Sequence, residues 1–290
     1  LQMTGNSLYA DYMETAIYNA LMASLKADAS QIAKYSPLEG WRHEGEEQCG
    51  MHINCCNANG PRAFAMIPQF AYQVQDDCVR VNFYAPSEAE LVLPGKKPVR
   101  LKQTTDYPRT DQIEIEVDPA KETAFTIALR IPAWSKIAVV SVNGQPQDGV
   151  LQGAYLPVNR KWKKGDRITV KLDLRARLVE RNQAQAIVRG PIVLARDSRF
   201  GDGFVDEASV VVSKDGYVAL TPVKAPGFAW LAFTAPMVLG TDLESNRAPK
   251  QIHFCDFASA GNTWDKTQRY RVWLPKTLNV MHSPYRPYNQ

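Results

Sequence analysis

The stretch "CVRVNFYAP", residues 78–86, decides the fold, because the period of the apolar residues changes there from near 3.6 to 2. Downstream, "AELVLPG" (89–95), "PVRLKQT" (98–104), "QIEIEVDP" (112–119), "FTIALRIP" (125–132), "AVVSVNG" (138–144) and "DRITVKLDL" (166–174) alternate apolar with polar residues and break at Gly, Pro, Asn or Asp. Short strands at regular spacing with such turns predict an antiparallel sandwich or barrel. "IVRGPIVLARD" closes this series at residue 197, "GDG" at 201–203 marks a linker, and "SVVVSKDGYVALTPV", "FAWLAFTAPMVL", "QIHFCDFA" and "YRVWLP" predict a second, shorter set of strands.

Upstream the pattern is helical. Leu8, Tyr12, Met13, Ala16, Ile17, Ala20, Leu21 and Leu25 recur at helix spacing, with Asn6 or Ser7 as the N-cap. The opening residues read as a helix already under way, which predicts a piece of a longer polypeptide. "ADASQIAKYSPLEGWRHEGEEQ" has loop composition, and "PRAFAMIPQFAYQV" predicts a second helix with Pro61 in its first turn and Pro68 as a kink.

Composition narrows the classes of function. The 290 residues carry a net charge of +4, with Lys and Arg interspersed among acids, so no basic block tracks a phosphate backbone and nucleic acid is not an expected partner. No apolar run approaches the ~20 residues that span a bilayer. The sequence has no Gly-rich phosphate loop, no G-x-S-x-G elbow and no H-E-x-x-H helix, which removes the commonest nucleotide, esterase and protease readings.

Five cysteines without regular spacing do not make a disulfide framework. Two of them, Cys55 and Cys56, are adjacent inside the polar, loop-like "NCCNAN". Buried thiols acting as small hydrophobes are one reading. A vicinal disulfide is a strained second. A zinc site from Cys49, His52, Cys55 and Cys56 has suitable ligand types at a tight spacing. The sharper reading is chemical: a thiolate held on zinc can attack an anomeric carbon, and the metal then eases its departure.

Taken together, "LYADYMETAIYNALMAS", "YSPLEG", "CCNANGPR", "VNFYAPSEAEL", "TTDYPRTDQIEIEVDP", "FTIALRIPAWS", "VSVNGQ", "VNRKWKKGDRITVKLDL", "AIVRGPIVLARD" and "YRVWLP" resemble the β-L-arabinofuranosidase family of glycoside hydrolases in order along nearly the whole chain. The resemblance implies an α+β multidomain protein: C-terminal helices of an (α/α)6 barrel over residues 1–76, a β-sandwich over 77–198, and a second β-sandwich with the tail over 199–290. It further implies a retaining mechanism with Cys55 as nucleophile, Zn2+ bound by Cys55 and Cys56 together with an upstream Glu and Cys, an upstream Glu as acid/base, and an arabinose-containing glycan as substrate. Tyr35, in "KYSPLEG", falls where the family has a tyrosine reaching the sugar. The upstream ligands and acid are not in this chain, so the chain alone is expected to be inactive. Glu47 and Cys49 repeat the E-x-C spacing of the missing ligands but lie too close to Cys55 to surround an ion with it. "NAN" after the pair departs from the family's prolines. The alternative from another class is a non-catalytic carbohydrate-binding or structural sandwich module, which would display a row of aromatics on one sheet face.

Overall fold

A computed structural model describes residues 1–44, 55–240 and 248–277. The chain divides into two compact units, one of Leu1–Tyr18 with His52–Leu174 and the other of Asn19–Met51 with Arg175–Gln290. The described residues are mostly β, with two α-helices: α1 (Ser7–Ala16) and α2 (Cys55–Ala71).

In the first unit the period-2 segments form two sheets around one core. One is six-stranded, in the order Ser87–Leu93, Lys97–Thr105, Gln112–Pro119, Asp166–Lys171, Val139–Val142, Gln145–Pro146; the other is four-stranded, in the order Ala154–Trp162, Thr123–Ile131, Cys78–Val81, Tyr72–Gln75. Alternation sends Ile113, Ile115 and Val117 from one sheet and Phe125, Ile127 and Leu129 from the other into the shared core, with Trp162 fully buried between them. The Asn143-Gly144 turn closes its hairpin with φ of 50° and 80°, the left-handed pair that a two-residue type I′ loop needs. The pairing is not purely antiparallel as expected. Cys78–Val81 runs parallel to Thr123–Ile131, because the six-stranded sheet takes up the chain between them before it returns.

In the second unit all described strands join one eleven-stranded sheet rather than a separate sandwich. Its path includes Ala176–Arg181, Ala184–Arg189 and Ile192–Asp197, which sequence pattern had assigned to the first sandwich. These strands pair instead with C-terminal partners, such as Leu194 opposite Asp256 and Arg196 opposite Arg271. The first unit therefore ends at Leu174 rather than near 198.

Helix α1 starts where the sequence places it: Asn6 is extended, and its side-chain oxygen accepts from the Leu8 N–H at 2.9 Å. The α-helix is shorter than the apolar period suggests and passes into a π-helical turn at Ile17–Leu21. Its buried face is also the opposite one. Ser7, Ala10, Asp11 and Glu14 are buried, whereas Leu8 and Tyr12 of the apolar stripe lie exposed.

Arg130 explains the inversion. It points out of the sandwich core, on the outer face of the four-stranded sheet, and is wholly buried beneath α1, Tyr84 and Tyr107. Its guanidinium pairs with Asp11 and, at 2.8 Å, with Glu14, while its Nε donates to the Asn82 carbonyl. The Tyr107 hydroxyl also donates to Glu14 at 2.8 Å, and the Ala133 N–H to Asp11 at 3.0 Å. Burial opposes the Arg130 charge, and the facing Glu14, Tyr107 and Asp11 more than offset it.

Asn82 carries the same network to α2. Its amide donates to the Phe70 carbonyl, and its backbone N–H to that of Ala71, both at 2.9 Å. The sheet thereby fixes the last turn of α2 while its first turn stands at the far end.

Candidate active site

Cys55 and Cys56 belong to α2, so "CCNAN" (55–59) is helical and not a loop. Pro61 consequently sits in the helix interior, with Pro68 one further interruption of the hydrogen-bond ladder. Both cysteines are half-buried thiols, and no vicinal disulfide joins them. Consecutive helical positions lie about 100° apart around the axis, so the two sulfurs fan out from one turn.

One turn along, Asn59 shares the Cys55 face, and the Arg62 guanidinium donates to its side-chain oxygen. Arg62 thus braces the exposed face of α2 through Asn59.

The other described thiols differ in setting. Burial pushes the Cys78 thiol up, and pushes the wholly buried Cys255 thiol well up, so both are held protonated. The pair on α2 remains the candidate for sulfur chemistry.

Cys49, His52, Glu47 and His282 lie outside the described residues. Among the described residues no group of three or more His, Cys, Asp or Glu side chains is placed to hold a metal ion. Cys55 and Cys56 have the donor chemistry that zinc takes, but they make half of a four-ligand set. Tyr35 belongs to the second unit, where its side chain is exposed. His253 stacks on Phe200 with its Nδ1 3.1 Å from Asp202, away from any other potential ligand group.

Of the tryptophans in strand-like segments, Trp162 and Trp134 are buried in the first unit, Trp273 packs on a second-unit core and Trp230 is half-buried. Trp41 lies outside those segments and is exposed. An aromatic flanked by Gly40, Arg42 and His43 in a charged loop was the available signal.

Comparison with known proteins places these elements. The model of the GH127 β-L-arabinofuranosidase catalytic domain matches residues 1–69, and that of the GH127 middle domain matches 78–174. A non-reducing end β-L-arabinofuranosidase of Bifidobacterium longum subsp. longum is 27% identical over 212 residues, covering 64% of this chain and 31% of the relative. Among solved structures, a GH127 β-L-arabinofuranosidase from Geobacillus stearothermophilus T6 superposes with a TM-score of 0.77 at 22% identity, over 94% of this chain and 47% of that one. A GH127 β-arabinofuranosidase matches with a TM-score of 0.75 at 25% identity, over 96% and 46%. The chain spans about half the length of these structures and about a third of the curated relative. The catalytic-domain match includes both helices through Gln69, and the middle-domain match ends at Leu174 with the first unit.

Proposed function

This chain belongs to the GH127 family of β-L-arabinofuranosidases, and we propose that within a longer polypeptide it is the rear part of a retaining exo-glycosidase that removes terminal β-L-arabinofuranosyl or similar furanosyl residues from plant-type glycans. In this reading residues 1–76 close an (α/α)6 catalytic barrel, the two-sheet sandwich that ends at Leu174 follows, and the strands of the eleven-stranded sheet come after it. The observation that carries it is the pair of half-buried thiols on α2, inside the segment that the catalytic-domain model matches. The uncovered apolar stripe of α1 supports it, because barrel helices preceding this chain would bury Leu8 and Tyr12.

The proposed chemistry uses Cys55 as nucleophile. Its thiolate attacks C1 of the terminal sugar, so a C1–S bond forms as the glycosidic C1–O bond breaks. The departing oxygen takes a proton from a carboxylic acid elsewhere in the polypeptide, and water activated by that carboxylate then displaces the sulfur with net retention. Asn59 and Arg62, on the Cys55 side of the helix, hold its exposed face in register. Tyr35 is proposed to contact the sugar. In the whole polypeptide Cys55 and Cys56 would be two of four ligands to zinc, which would keep their thiols deprotonated.

The outer face of the six-stranded sheet counts against the non-catalytic alternative. In place of an aromatic row it carries charges that alternate across neighbouring strands, Glu88–Lys102–Glu116–Arg167 and Glu90–Arg100–Asp118. Arg100 lies 3.0 Å from Glu88 and 2.6 Å from Asp118.

The experiment is hydrolysis of an aryl β-L-arabinofuranoside by the full-length polypeptide and by its Cys55→Ser variant, with zinc measured by elemental analysis on both. The reading expects turnover to vanish in the variant and this chain alone to be inactive. Turnover by this chain, or an unaffected Cys55→Ser enzyme, would overturn it.

A further inference from the structure

The second unit presents a pinned loop, Lys34 to Glu44, whose ends meet through a Lys34 N–H donated to the Glu44 carbonyl at 3.0 Å. Such closed loops hold their shape through internal and framework contacts. Here the framework contacts are numerous. The Tyr270 hydroxyl donates to the Pro37 carbonyl at 2.6 Å, the Val272 N–H to the Leu38 carbonyl at 2.8 Å, and Arg271 pairs with Glu39 at 2.7 Å. Glu39–Gly40 lies antiparallel to Tyr270–Arg271.

Arg42 is the deepest anchor. Its side chain is wholly buried, donates to the carbonyls of Ala23, Ala258 and Phe257, and lies against the rings of Phe257 and Tyr270 at 4.7 and 5.0 Å. Burial pushes the guanidinium down from its ordinary value, a cost that three carbonyls and two ring faces offset. Fixing Arg42 inward turns its neighbours outward. Trp41 is 38% exposed, with the Arg269 guanidinium 5.5 Å from its ring and the His43 ring at 6.3 Å.

We propose that this loop is a saccharide-binding surface, with Trp41 as the stacking platform for a sugar ring of an arabinose-containing oligosaccharide and Arg269, His43 and Glu39 as the polar rim. A sugar ring has an apolar C–H face and a hydroxylated edge, which match a part-exposed indole that carries the Arg269 guanidinium over its ring and has polar side chains beside it. The platform is preformed, so little ordering opposes binding. The assignment rests on the glycan-acting reading above and adds Trp41 and its neighbours to the Tyr35 contact proposed on the same loop.

The test is isothermal titration of this chain with arabinan oligosaccharides, for the wild type, Trp41→Ala and Trp41→Phe, with melting temperatures recorded in parallel. The expected result is binding that weakens about tenfold in Trp41→Ala and less in Trp41→Phe. No binding by the wild type, or equal affinity in the folded Phe variant and an Ala variant of unchanged melting temperature, would overturn it. Should the Ala variant melt early, an affinity of Trp41→Phe identical to wild type would overturn it in its place, and a weakened one would support it. Turnover does not enter this readout. Cys55-dependent hydrolysis without a Trp41 effect removes only the platform, whereas Trp41-dependent binding without Cys55-dependent hydrolysis removes only the enzymatic reading.

Discussion

Within the first unit, the strands and the helix that lies on them bury opposite kinds of side chain. The strand Gln112–Pro119 puts Ile113, Ile115 and Val117 inside and leaves its acids outside. Helix α1 puts Asp11 and Glu14 inside and leaves Leu8 and Tyr12 outside. The strands have their apolar partner within the chain, in the facing sheet. The helix meets the sandwich through charge, and its apolar stripe is exposed in this chain. A buried ion network is costly to break but adds little stability over a well-packed apolar contact, so it fixes where α1 sits more than how strongly it is held.

The largest test of that contrast removes Arg130. Arg130→Met leaves Asp11 and Glu14 buried without their cation, and urea unfolding should show a loss of about 3–5 kcal/mol. Adding Asp11→Asn and Glu14→Gln should restore most of it, since the uncompensated charges are then gone. A loss below about 1 kcal/mol in the single variant would mean that the helix is not held by this network.

A smaller effect is expected in acid. The Arg100 hydrogen bond holds the Asp118 carboxyl below the ordinary range. At Asp166, burial works against ionisation but is outweighed by the Lys163 backbone N–H and the Asn143 amide. For carboxyls depressed in the folded state, the stabilisation is present above the unfolded value, about 4, and is lost as pH falls through the depressed values. Melting temperature should therefore drop less steeply below pH ~4 in the Asp118→Asn, Asp166→Asn double variant than in the wild type. Parallel slopes would show that these two groups do not report on sandwich stability.

The smallest effect belongs to the exposed stripe. Leu8→Ser with Tyr12→Ser should change the stability of this chain by no more than about 0.5 kcal/mol, and that of the longer polypeptide by clearly more. Equal small effects in both would leave the stripe without a partner and break the comparison.

These elements also show what a sequence can convey. The alternation in "QIEIEVDP", the Asn143-Gly144 turn and the Asn6 cap were legible because each rests on residues close in sequence. The face by which α1 docks was not, since Arg130 lies 119 positions from Asp11. The parallel pairing of Cys78–Val81 and the recruitment of 176–197 into the C-terminal sheet were hidden for the same reason. At the candidate site, adjacency singled out Cys55 and Cys56, but their polar neighbours disguised a helical turn whose exposed face tolerates Asn57, Asn59 and Arg62. Trp41 was missed because its outward position depends on Arg42 finding three distant carbonyls.

The most direct measurement of the central claim is mass spectrometry of the full-length polypeptide after rapid acid quench during turnover of an activated β-L-arabinofuranoside. The account predicts one pentosyl adduct on the peptide that contains Cys55, absent from Cys55→Ser. An adduct on a different residue, or undiminished turnover by Cys55→Ser, would contradict it.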